Sequence, residues 1–136
     1  MIQEAYCSFE VAKMLKEKGF DEPCLHYYRT EIVLGKECTH FTFTDEYFHN
    51  SEVEYGAYKG CKCTAPTQQM AMAWLREKGI YITIVYGDYP SLNKVFWTPQ
   101  INSLKGFDLP DDFYEDYDEY EDAVEAALKY ALKNLI

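Results

Sequence analysis

Three short patterns in this chain set residues of metal-binding or nucleophilic type two apart: Cys24-Leu25-His26, Cys38-Thr39-His40 and Cys61-Lys62-Cys63. In an extended strand, residues i and i+2 point to one face, so each pattern presents two side chains together. Tetrahedral zinc takes four such ligands, and Cys24, His26, Cys38, His40, Cys61 and Cys63 offer six. The step is shorter than the usual two-to-four-residue interval of structural zinc sites. Small buried cysteines and hydrogen-bonded strand histidines account for the same residues without a metal, and no cofactor is expected. Cys63 has a second candidate role. If a helix follows it directly, the helix N-terminus lowers its thiol pKa, with His26 or His40 as base or Cys61 as redox partner. Inert packing is the plainer expectation.

A second kind of chemistry is concentrated near the C-terminus. Asp108 to Asp122 carries nine acids and no base, interleaved with Phe113, Tyr114, Tyr117 and Tyr120. Carboxylates with aromatic anchors suit docking to a basic protein, or imitation of a nucleic acid. The residues singled out for partner binding are Asp111, Asp112, Glu115, Asp116, Tyr114 and Tyr117, together with Trp97. The competing reading is a solvated loop that feeds favourable charge into a following helix. The spacing is not that of a calcium-binding EF-hand. There is no phosphate-binding glycine loop, no Gly-x-Ser-x-Gly elbow and no His-Glu-x-x-His pair, so no catalytic motif marks an enzyme.

The elements that must position these groups follow from periodicity and punctuation. Ser8 reads as an N-cap ahead of Val11, Met14 and Leu15, and Gly19-Phe20 as the helix stop. Strand-like runs follow at 24–34 and 37–48, with a hairpin turn at Gly35-Lys36. On the second run Thr39, Phe41, Phe43, Asp45 and Tyr47 share a face, and His40, Thr42 and Thr44 lie opposite. A short strand is expected at 53–58. A second helix begins near Thr64-Ala65-Pro66-Thr67, buries Met70, Ala71, Trp74 and Leu75, and ends at Gly79. Ile80 to Tyr86 is the clearest strand, and its near-continuous apolarity suggests a central position. Lys94 to Thr98 pairs with it. The last helix carries Tyr120, Val124, Ala127, Leu128, Ala131 and Leu135 on one stripe, with Asp118 and Glu121 resembling a capping box. These elements predict a single α+β domain over residues 1–136, a mainly antiparallel sheet covered by about three helices in the order α-β-β-(β)-α-β-β-α.

Composition bounds the function. At 136 residues, 48% hydrophobic and 26% charged, the chain has ordinary globular chemistry. Thirteen tyrosines help raise the aromatic content to 17%, which suits half-buried sheets and interfaces. The formal charge of −10 disfavours direct nucleic-acid binding. No apolar run is long enough to span a bilayer, and the first residues do not read as a signal peptide. Five cysteines, an odd number, then suggest free thiols and a cytoplasmic location.

Two stretches carry a resemblance: Cys7-Ser8-Phe9-Glu10-Val11-Ala12-Lys13-Met14-Leu15-Lys16-Glu17-Lys18-Gly19-Phe20-Asp21-Glu22-Pro23, and Cys63-Thr64-Ala65-Pro66-Thr67-Gln68-Gln69-Met70-Ala71-Met72-Ala73-Trp74-Leu75-Arg76-Glu77. With Tyr120-Glu121-Asp122-Ala123-Val124-Glu125-Ala126-Ala127-Leu128, they resemble small uncharacterised proteins encoded by phages and mobile elements of gut anaerobic bacteria. The resemblance implies an accessory protein of such an element and assigns no activity or catalytic residue. The function expected is therefore non-enzymatic interaction, with a protein partner or by self-association. The alternatives are a Cys/His metal or thiol site and an acidic decoy for a basic protein.

Overall fold

The computed structural model describes residues 2–53, 60–104, 106 and 115–136. Among these, the α+β class and antiparallel pairing expected from the sequence hold, but the strands divide between a three-stranded and a two-stranded sheet. The chain forms two compact units, Met1–Thr67 and Gln68–Ile136.

In the first unit, α1 (Phe9–Glu17) begins where Ser8 Oγ accepts a hydrogen bond from Val11 N at 3.2 Å. It ends at Gly19, whose φ of +94° suits glycine, and Phe20 N closes the turn by donating to Leu15 O at 2.9 Å. Strands β1 (Cys24–Val33) and β2 (Lys36–Phe48) form a hairpin joined by Leu34 and Gly35, both at positive φ. The turn therefore lies one residue earlier than expected, and it places a fully exposed leucine where asparagine or glycine is the usual choice. A one-turn helix, α2 (Asn50–Val53), takes Val53, the first residue of the strand expected at 53–58, and 54–58 lie outside the described residues. Strand β3 (Cys61–Thr64) completes the sheet in the order β2-β1-β3. It extends through Thr64, where a helix start was expected, because its backbone pairs with β1 at Tyr27 and Tyr28. Both α1 and α2 pack against β3.

The second unit opens with α3 (Gln68–Glu77), which buries Ala71, Met72, Trp74 and Leu75 and is followed by Gly79 at φ +81°. Strands β4 (Ile80–Tyr89) and β5 (Lys94–Ser103) pair without a register break over ten residues each, across a 3-10 turn at Pro90–Leu92. With only β5 beside it, β4 is not a central strand among the described residues. The reason lies in its alternation: Ile80, Ile82 and Ile84 turn inward while Tyr81, Thr83 and Val85 are exposed, which is the pattern of a half-buried strand. Helix α4 (Tyr120–Asn134) covers the ribbon through Val124, Ala127, Leu128, Ala131 and Leu132. Its N-cap is Glu119 without a side-chain cap bond, and Asp118 instead pairs with Lys94 at 3.3 Å. The anticipated capping box is thus replaced by an ion pair.

Candidate interaction surface

The hairpin register fixes which side chains share a face. His26 stands opposite Phe43, Tyr28 opposite Phe41 and Thr30 opposite Thr39, so these six side chains occupy one side of the sheet. Tyr27 lies on the other side, where it joins Phe48 and Val53 in a buried cluster against which Cys61 packs.

On the first side the rings form a continuous ladder. Phe9 meets Tyr28 edge-on at 5.4 Å, and Tyr28 meets Phe41 at 5.6 Å. His26 stacks on Phe41 at 4.9 Å with 11° between planes, and touches Phe43 at 5.3 Å. Tyr6 closes the group at 4.5 Å from His26 and 5.1 Å from Phe41. Two backbone ties hold Tyr6 and Phe9 in place. Cys7 N donates to Pro66 O at 2.9 Å, and Tyr28 Oη donates to Cys7 O. Burial lowers the His26 pKa, with Glu4 acting the other way, so the neutral ring is the form that fits this stack.

The ladder is open. Phe41 is 48% exposed and Phe43 59%, whereas His40, Thr42 and Thr44 on the opposite side of β2 are half-buried. A sheet with one buried face ordinarily turns its apolar side inward. Here β2 keeps the alternation but presents its phenylalanines to the outside. Toward the hairpin tip, exposed Ile32 continues this side, exposed Val33 lies on the other, and exposed Leu34 stands in the turn.

The cysteine and histidine pairs are distributed over this sheet rather than gathered. Cys24 is buried opposite Phe48, and a bulge between it and His26 interrupts the alternation that the pair's spacing assumes. His40 pairs with Arg29 and therefore faces away from His26, and Cys38 sits opposite Glu31 on the same side as His40. His40 Nε2 lies 2.8 Å from Glu31 Oε1 without an aligned hydrogen bond, a contact that is an ion pair only when the ring is protonated. A second bulge sets Cys63 opposite Tyr28 and Cys61 opposite Arg29, neighbours on β1 that point to different faces. Among the described residues there is no group of three or more His, Cys, Asp or Glu that could hold a metal.

The reactivity considered for Cys63 is corrected by its position. It lies in β3 and α3 begins only at Gln68, so the chain does not pass directly from this cysteine into a helix. Burial instead pushes its thiol up to about 12, with Cys61 adding to the effect, and pushes Cys24 and Cys61 to about 11.

In the second unit, Trp97 meets Tyr86 edge-on at 5.6 Å and Tyr120 at 5.4 Å. Its backbone exchanges two hydrogen bonds of 2.8 Å with Tyr117. Of the carboxylates singled out, Glu115 and Asp116 are exposed, and Asp116 accepts a hydrogen bond from Thr98 Oγ1 at 2.6 Å. Burial is the main cause that raises the Tyr117 pKa, with Glu115 and Asp122 adding to it. Asp111, Asp112 and Tyr114 lie outside the described residues.

No family model, curated protein or solved structure matches the chain.

Proposed function

We propose that the chain is a non-enzymatic binding protein and that the open ring ladder on β1 and β2 is the surface that engages a protein partner. The observation that carries this reading is the outward placement of Phe41 and Phe43 over a layer of ordered rings. Both rings are about half exposed, so a partner that covers them recovers roughly half the burial energy of a phenylalanine, about 1 kcal/mol each. The rings are already positioned by Tyr6, His26 and Tyr28, so little side-chain ordering remains to oppose binding. The sequence resemblance supports the setting we propose, an accessory protein of a phage or mobile element acting in the cytoplasm.

The double substitution Phe41→Ser/Phe43→Ser tests this reading. Folding stability should fall by about 1–3 kcal/mol in total, because both rings lie outside the core but give up their contacts with Tyr6, His26 and Tyr28. Affinity for the physiological partner should fall by on the order of a hundredfold. Unchanged affinity, measured on the folded double variant, would count against it.

A further inference from the structure

Sheet edges expose backbone donors and acceptors, and proteins ordinarily blunt them with charge, bulges, brevity or cover. Three of the four edges described here are treated in this way. The outer strand β2 carries Lys36, Glu37, Asp45 and Glu46 and has a register break before Phe48. Its counterpart β3 is four residues long. The outer edge of β5 is met at Trp97 by Tyr117, flanked by the Thr98–Asp116 and Lys94–Asp118 contacts.

Among the described residues, the outer edge of β4 over 80–86, ahead of Gly87 and Asp88, carries no charge and no bulge and is not short. The run Ile80-Tyr81-Ile82-Thr83-Ile84-Val85-Tyr86 contains no charge, no proline and no glycine, and its pairing with β5 has no bulge. No described strand pairs with that edge. Such a sequence in an accessible strand is suited to strand pairing.

We infer that β4 is the contact edge of a homodimer, in which two copies pair β4 against β4 antiparallel to give a four-stranded sheet. The occupant follows from the sequence of the edge itself. In a chain of net charge −10, two copies repel over most of their surface, and the uncharged run 80–86 is where they can approach without opposing charges. The run is also self-complementary. A two-fold axis at Thr83 sets Ile82 against Ile84, Tyr81 against Val85 and Ile80 against Tyr86, each pair on one face. These are β-branched and aromatic cross-strand pairs of the favourable kind. Because Tyr117 already lies along β5, the pairing uses the open edge of each copy and closes at two chains. This inference concerns the second unit and does not depend on the ring ladder of the first.

Sedimentation equilibrium over a concentration series, with backbone hydrogen exchange at each end of the series, tests it. The wild-type chain should run as a monomer–dimer equilibrium, with amides in 80–86 gaining protection as dimer forms. Thr83→Lys and Thr83→Glu should each weaken dimerisation by on the order of tenfold or more through repulsion at the axis, and an equimolar mixture should restore it. Recovery in the mixture separates loss of pairing from loss of folding. A wild-type monomer at all concentrations, a dimer indifferent to Thr83→Lys, a mixture that stays monomeric, or open-ended polymers would each overturn the inference.

Discussion

His26 and His49 sit in the same unit and have their titrations displaced in opposite directions. Burial holds His26 below its ordinary 6.5, so its neutral form favours the fold. That contribution is complete above 6.5 and is lost as pH falls through the folded value. His49 is raised, chiefly by the hydrogen bond between Nδ1 and Asp21 O, with Asp21, Glu52 and Glu22 charges adding to it. Its contribution is complete below 6.5 and is lost as pH rises through its folded value. An NMR titration of the ring protons should therefore find His49 with a midpoint above 6.5 and His26 below it. The reverse order would contradict the local structure. The functional consequence belongs to His26: mild acidification puts a charge into the ladder and should weaken whatever binds there.

Among the elements, the joint between α1, α2 and β3 depends on one buried amide. Asn50 Nδ2 donates to Phe20 O at 2.7 Å, and Asn50 Oδ1 accepts from Thr64 N at 2.8 Å. Asn50→Ala leaves a buried carbonyl and a buried N–H without these partners, and should cost about 2–4 kcal/mol in denaturant unfolding. A cost below about 0.5 kcal/mol would mean that water or relaxation replaces the joint. No local pattern announced this residue, because its partners are 30 and 14 positions away. Elements with local signals were legible: Ser8, Gly19 and Phe20 mark α1 through bonds made within a few residues. The hairpin turn was displaced by one because Leu34 has no intrinsic preference for positive φ. Strand β3 was missed because Cys61-Lys62-Cys63-Thr64 is short, without period, and held by β1 from a distance. The candidate surface was half legible. Alternation put Phe41 and Phe43 on one face, but which face is covered depends on where the rest of the unit packs.

At the scale of the whole molecule, a chain of net charge −10 keeps an uncharged run, 80–86, along one strand and a half-exposed layer of rings. No helix among the described residues is long and apolar enough to cross a membrane. The central claim is that Phe41 and Phe43 lie where another protein sits. It is tested most directly by a photoreactive benzoylphenylalanine at Phe43, activated in cells that naturally express the chain, beside the same group at exposed Glu17. A covered ring ladder predicts one discrete protein adduct from position 43, absent from position 17 and abolished when Phe41→Ser is added. No adduct at position 43, or the same adducts from both positions, would contradict it.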